Sequence, residues 1–109
     1  MGPASDFTAP DIAVTRGALL SPSRPEVESA LRAEGLEPTA WANGGDFSYG
    51  RHAHDHHKVL VCVSGAIVFH AQGGDVALAP GDRIDLPAGV EHGATVGHEG
   101  VECVEAFRP

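Results

Sequence analysis

The chain has 109 residues, a length that suits one domain with a single modest core. Hydrophobic residues make up 42% and charged residues 20%, and no apolar run reaches the roughly 18 residues of a membrane-spanning helix, so we expect a soluble globular protein. Fifteen acidic residues against seven basic ones give a formal net charge of -8, which disfavours nucleic acid and anionic membranes as partners.

The first 24 residues are interpreted as an N-terminal arm, because they show little periodicity and are interrupted by Pro3, Pro10 and Pro22. Charged residues and prolines also break the apolar positions of the first twenty residues, so no signal-peptide core is predicted and the cytoplasm is the expected location. Part of the arm, within residues 12–20, is expected to pair with an edge strand.

A short helix is predicted over residues 25–34, within a helical segment that we bound at 25–36. Pro25 suits the first turn of a helix and Gly35 suits the position just after its end. The residues that recur at helical spacing between them are Val27, Ala30, Leu31 and Glu34.

Beyond Gly35 the helical period stops, and short apolar runs alternate with glycine, proline and aspartate. These runs predict strands near 38–42, 46–54, 58–64, 66–71, 75–79, 83–86, 91–96 and 101–107. Turn signals such as Ser64-Gly65 and Gly73-Gly74 suit hairpins between them. Short, evenly spaced strands predict an all-β sandwich or barrel over residues 37–109, and a closed sheet would leave no exposed edge.

Histidine is concentrated in one segment, with four of the seven histidines within residues 51–58. His52 and His54 are two residues apart, so on a strand both imidazoles would point to the same face. His92, which follows the bend predicted at Pro87-Ala88-Gly89, could bring a third imidazole from another strand. His70 and His98 stand alone in the sequence and are not counted as ligands.

Two motifs of this chain resemble those of the cupin superfamily, over roughly residues 38–107. The first cupin motif has a His-x-His pair, a Glu and a Gly, and His52, His54 and Gly65 match it, whereas Lys58 stands where Glu is expected. The second motif is matched by Gly81, Pro87, Gly89 and His92 at its own spacing, with Val96 in place of a final Asn.

The resemblance implies a single antiparallel β-barrel of the jelly-roll or double-stranded β-helix type, preceded by the short helix. It also implies that His52, His54 and His92 bind a divalent transition metal, and that the protein forms a homodimer. A site of neutral imidazoles favours Zn, Fe, Ni, Cu, Co or Mn over Mg and Ca, which prefer oxygen ligands. The expected partner is a small organic molecule that acts as ligand or substrate.

Lys58 is the main departure from the cupin pattern and the only lysine of the chain. An ammonium group in place of a carboxylate would lower the affinity for a cation unless another group compensates. His56 and His57 are both candidates for a fourth metal ligand, and His57 is preferred. Lys58 and His57 are also the candidate catalytic residues, in the handling of protons or the anchoring of an anion. Asp55 could orient a ligating imidazole, or could belong with His56 and Lys58 to a solvated hairpin.

Two functions of different classes fit these features. The first is a metal-dependent enzyme of the dioxygenase, isomerase or lyase type. The second is a non-catalytic module that binds or senses a small molecule, since one scaffold hosts many functions. The aromatic residues of the predicted strands, Trp41, Phe47, Tyr49 and Phe69, could line a pocket over the metal, although core packing is the commoner role of such residues.

Overall fold

The computed structural model describes residues 12–109, so the expectations for residues 1–11 of the arm lie outside the described part of the chain. The described part contains one helix, α1 (Arg24–Ala33), and seven strands. The strands are β1 (Ala13–Thr15), β2 (Thr39–Asn43), β3 (Ser48–His52), β4 (His57–Ala71), β5 (Gly74–Leu78), β6 (Arg83–Leu86) and β7 (His92–Arg108).

Helix α1 lies where the sequence predicts it, to within one residue at each end. Ser23 caps its first turn, accepting a hydrogen bond from the backbone N–H of Glu26 with Pro25 in the first turn. Gly35, at a φ of +83°, turns the chain after the helix. Val27 and Leu31 are fully buried and pack against the outer face of the sheet, so α1 covers that face.

The strands form one antiparallel sheet in the order β1-β6-β4-β7-β2, with β3 added on β7 and β5 on β4. The antiparallel jelly-roll prediction is confirmed, but the expected closure of the sheet is not seen: within residues 12–109 no pairing joins β1 to β2. The arm contributes its expected edge pairing through β1, whose Ala13 lies opposite Asp85 on β6. Helix α1, the one helix of residues 12–109, has 10 residues and is too short to cross a membrane.

Strands β4 and β7 are longer than predicted, because each joins two of the expected strands. The predicted hairpin at Ser64-Gly65 is wrong: Gly65 lies inside β4, opposite Val101 on β7, at an irregularity of the pairing. Gly65 has a φ of +77°, and a Cβ on it would lie 2.0 Å from the carbonyl oxygen of Gly100. The glycine therefore permits a bulge that bends the strand without ending it.

Alternation along β4 separates the two apolar layers of the molecule. Leu60 and Cys62 point into the main core, whereas Val59 and Val61 face the layer under α1. Lys58 shares the inward parity of Leu60, which puts its side chain on the inner face of the sheet. Cys62 and Cys103 are both buried and free, as expected for reduced core cysteines.

Replacing Gly65 with alanine is expected to destabilise the protein by more than about 1 kcal/mol, because the new Cβ meets backbone and the residue must keep a positive φ. Gly44→Ala is the control, since a Cβ there meets nothing within 4 Å. Urea denaturation of the two variants measures the difference. An equal free energy of unfolding for both would contradict the packing described at Gly65.

Asp82 ties the N-terminal segment to the turn before β6. Its carboxylate accepts hydrogen bonds from the backbone N–H groups of Gly17 (2.9 Å) and Ala79 (3.0 Å) and pairs with Arg16 at 3.0 Å. Burial by itself raises the pKa of Asp82, but these hydrogen bonds and the guanidinium outweigh it and the pKa is lowered.

Because the folded-state pKa of Asp82 is depressed, the carboxylate stabilises the fold above its unfolded pKa of about 3.9, and this stabilisation is lost as the pH falls through the folded value. Asp82→Asn should lower the free energy of unfolding at pH 7 by about 1–3 kcal/mol. It should also flatten the fall of stability with acid below about pH 4. Urea denaturation across pH 2.5–7, with the exposed Glu37→Gln as control, tests this prediction; an unchanged acid slope in Asp82→Asn would contradict it.

Candidate metal centre and ligand cavity

Three histidines meet at one end of the sheet. The potential ligand atoms of His52, His54 and His92 all lie within 4.8 Å of one another. The ring centroids are 4.8 Å apart for His52 and His54, 4.5 Å for His52 and His92, and 5.3 Å for His54 and His92. The structure therefore brings together the three residues that the sequence singles out.

Strand pairing explains why two of these histidines are neighbours. His52 ends β3 and His92 begins β7, and the two residues lie directly opposite each other in the β3–β7 register. His92 also lies opposite Ala71 of β4, so it is held between two strands, and only 1% of its surface is exposed.

His54 reaches the group from a loop, two residues after the end of β3, and not from the strand that the alternation argument assumes. Its carbonyl oxygen accepts a hydrogen bond of 2.9 Å from the N–H of Gly89. Gly89 has a φ of +81° in the bend after Pro87, where Val90 N–H also donates to the Pro87 carbonyl. The bend that precedes His92 thus also anchors the loop that carries His54.

Backbone carbonyls fix the orientation of two of the rings. His52 Nδ1 lies 2.7 Å from the carbonyl oxygen of Gly50, and His92 Nδ1 lies 3.1 Å from that of Val90. A ring nitrogen must carry a proton to donate to a carbonyl, so the Nε2 atom of each neutral ring keeps its lone pair. Asp55, the alternative orienting group, is exposed.

The environment keeps two of the imidazoles neutral. Burial lowers the pKa of His92 to about 4, with smaller contributions from the neighbouring His52 and Lys58. Burial also lowers the pKa of His54, and Lys58 and His52 act in the same direction. Metal binding requires unprotonated imidazole, so these two rings are ready to bind at neutral pH.

The donor set fits a divalent transition metal. The Nε2 atoms of His54 and His92 are buried and have no hydrogen-bond partner within residues 12–109, an arrangement that costs free energy unless something else binds there. Two nitrogens bound to one tetrahedral zinc ion at about 2.1 Å lie about 3.4 Å apart, so the ligand atoms, all within 4.8 Å of one another, must approach by at most about 1.4 Å to share one ion. Three ligands leave further coordination positions open.

His57 does not join this group. It begins β4 with outward parity, and its Nε2 lies 3.0 Å from a carboxylate oxygen of Asp85 on the outer face of the sheet. His56 is exposed. His70 contacts Asp75 and Thr95, and His98 lies beside Asp46, so neither of the excluded histidines contributes.

A cavity of about 280 Å³ opens beside the three histidines. Its apolar wall consists of Trp41, Tyr49, Leu60, Ile67, Phe69 and Ala94. Three of the four aromatic residues considered from the sequence therefore line the pocket, whereas the fourth, Phe47, is 46% exposed and packs edge-on against Tyr49. Burial raises the pKa of Tyr49, so its phenol stays protonated.

Lys58 and Glu105 complete the cavity wall. Lys58 Nζ forms an ion pair of 3.0 Å with Glu105 Oε1, and the same oxygen accepts a 2.9 Å hydrogen bond from Trp41 Nε1. Sequence reasoning missed Glu105. The sequence feature that could have identified Glu105 is its position in β7, two residues after the inward-facing Cys103. Alternation places its side chain on the inner face of the sheet as well.

In the metal-free protein, the neutral imidazoles of His52 and His92 are expected to carry their protons on Nδ1, because both donate to backbone carbonyls. Long-range ¹H–¹⁵N correlation spectra should show unprotonated Nε2 atoms for both rings. The exposed His56 provides the reference spectrum within the same molecule. Protonated Nε2 atoms at His52 and His92 would contradict the assigned orientation.

Comparisons with known proteins agree with this architecture. The sequence profile of the AraC-like ligand binding domain family matches residues 41–104. No curated protein matches the chain. A solved structure of an RmlC-like cupin from Shewanella frigidimarina NCIMB 400 shares 27% identity at a TM-score of 0.61, over 68% of this chain and 66% of the other.

Two further solved structures are similar in fold. One, of the DMSP lyases RdDddP and RnDddQII, has 28% identity and a TM-score of 0.63 over 68% of this chain, but the match spans only 38% of the lyase chain. The other, a DUF861 family protein (TM1112) from Thermotoga maritima, matches 90% of this chain and 100% of its own at a TM-score of 0.63 and 15% identity, which supports the fold alone.

Proposed function

The chain belongs to the AraC-like ligand binding domain family and has the cupin fold, and from that premise we propose that it binds a divalent transition metal through His52, His54 and His92 and acts on a small organic molecule in the adjoining cavity. The observation that carries the proposal is the convergence of three histidines with two buried, unpartnered Nε2 atoms at the wall of an apolar cavity.

The residues of the site have different roles in binding the metal and the ligand. His92 and His52 present their Nε2 atoms because backbone carbonyls hold their Nδ1–H groups. Leu60, Ile67 and Phe69 exclude water from the apolar part of the ligand. A divalent ion bound there would supply Lewis-acid polarisation of an oxygen of the ligand.

Lys58 and Tyr49, which line the cavity, can hold or move a proton. Lys58 presents its ammonium, and the hydroxyl of Tyr49 accepts a hydrogen bond from the Asn43 amide, which leaves the phenolic proton available to donate. We propose an enzyme of the lyase, dioxygenase or isomerase type, in which Lys58 is the candidate catalytic residue that lines the cavity. The likeness to DMSP lyases supports this class of function without defining the substrate.

A non-catalytic ligand-binding or sensing module is the second candidate. It is favoured by the match to the AraC-like ligand binding domain family and by Lys58, which replaces the carboxylate of the cupin metal site. The expectations of a homodimer, of a cytoplasmic location and of no contact with nucleic acid or membrane are retained from the sequence in either case.

Wild-type protein without an affinity tag is expected to bind one Ni²⁺ or Zn²⁺ ion per chain in calorimetric titration. His54→Ala and His92→Ala should each weaken the metal affinity by at least about 100-fold. Even changes to residues that only hydrogen-bond to a metal ligand typically weaken metal affinity by about 10–100-fold. His98→Ala is the matched control and should bind as the wild type does, since its side chain is 89% exposed.

Metal affinity in the two site variants equal to that of the His98→Ala control would overturn the proposal. The enzyme and the module are then separated by a substrate screen with and without a chelator. Turnover that the chelator abolishes supports the enzyme, and ligand binding without any turnover supports the module.

A further inference from the structure

Among the described residues, the cavity wall carries one cation and one anion besides the histidines, and they face each other from neighbouring strands. Lys58 lies on β4 and Glu105 on β7, where Glu105 is in register with Leu60. Their side chains are only 11% and 18% exposed, and their charged atoms are 3.0 Å apart.

Stability is a poor explanation for this ion pair. Removing two charges from water costs several kcal/mol per ion, and apolar residues of similar size often give an equally stable or a more stable protein. Leu60, Ile67 and Phe69 already form an apolar wall around the pair. Its position at the cavity suggests a role in binding.

The Lys58 ammonium retains donors that can face a ligand. It has three N–H groups, and Glu105 Oε1 accepts from one of them. The centroid of the Phe107 ring lies 5.9 Å from Lys58 Nζ. Trp41 Nε1 holds the same carboxylate oxygen. Trp41 thus holds the carboxylate, and the carboxylate holds the ammonium at the cavity wall.

The charges around the cavity favour an anionic ligand. Three neutral imidazoles would leave the double positive charge of a bound ion uncompensated, because the group of ligands contains no carboxylate. The charges of Lys58 and Glu105 sum to zero, so the cavity with a bound ion is positive overall, and the N–H groups of Lys58 that Glu105 leaves open are donors for an anion. In an apolar cavity of low dielectric constant, a ligand with negative charge offsets the remaining positive charge at the least cost.

We propose that Lys58 is the anion-binding group of this cavity and that the ligand is a small organic acid, whose carboxylate lies against the Lys58 ammonium and whose apolar body packs on Leu60, Ile67 and Phe69. Glu105 and Trp41 act as positioning residues for the ammonium. This inference rests on the proposed metal-binding function and names the class of molecule that the same site takes.

The volume limits the size of that acid. A cavity of about 150 Å³ accommodates benzene, with its six carbon atoms, so about 280 Å³ corresponds to roughly ten non-hydrogen atoms. A branched or aromatic acid of this size would fill the cavity, and a sugar would place several hydroxyl groups against its apolar wall.

The test compares two probes of equal size, 4-methylpentanoate and 4-methylpentanamide, by calorimetric titration into Ni²⁺-loaded protein. The wild type is expected to bind the carboxylate at least 10-fold more tightly than the amide. Lys58→Met, made together with Glu105→Gln so that no unpaired carboxylate is left to repel the probe, should lose most of that preference while the protein still binds Ni²⁺. Lys58→Arg, which retains the cation, should keep the preference.

Lys58→Gln, also made together with Glu105→Gln, serves as a second neutral variant if the Lys58→Met variant fails to fold. A wild type that binds the two probes equally, or that does not bind the carboxylate, overturns the inference. A carboxylate preference that survives in the neutral variant also overturns it, because the metal alone would then select the anion. In all of these outcomes Ni²⁺ binding by the wild type leaves the proposed metal site standing. A wild type that does not bind Ni²⁺ contradicts the proposed function itself.

Discussion

The site depends on the double pairing of β7. Its first residue, His92, lies between β3 and β4, opposite His52 on one side and Ala71 on the other. Strand pairing on both sides fixes the backbone position of His92, and the hydrogen bond to the Val90 carbonyl fixes the orientation of its ring. A ligand atom placed in this way loses little further freedom when it binds, which is the physical basis of a preorganised site.

The same arrangement explains the electrostatic character of the cavity. Burial keeps the pKa of His92 and of His54 low, so that both rings are neutral, while the two full charges of the cavity wall neutralise each other. The carboxylate that the cupin pattern places at position 58 is absent, and Glu105 supplies a carboxylate from the neighbouring strand instead. Lys58 therefore does not stand as an isolated positive charge beside the metal ligands.

Local sequence signals predict much of this structure because they depend on short-range physics. Pro25 and Gly35 bound the helix, β6 lies where alternation places it, and the spacing of His52, His54 and His92 identifies the group that converges. Gly65 was misread because a glycine with positive φ occurs both in hairpin turns and in bulges, and only the partner strand distinguishes them. Glu105 was missed because its role depends on a neighbour 47 positions away in the sequence, Lys58, and no local pattern records that pairing.

The long pairing of β4 with β7 also determines where the chain can change in length. Strands β4 and β7 pair along most of their length on both sides of the Gly65 and Gly100 contact. An insertion or deletion of one residue in either strand would reverse the faces of every side chain beyond it and move Lys58, Glu105 or His92 out of the interior. The turn at 72–73 lies outside the strands and carries none of the three histidines, so natural variation in length among related chains should accumulate there. The loop at 53–56 carries His54 and should keep its length.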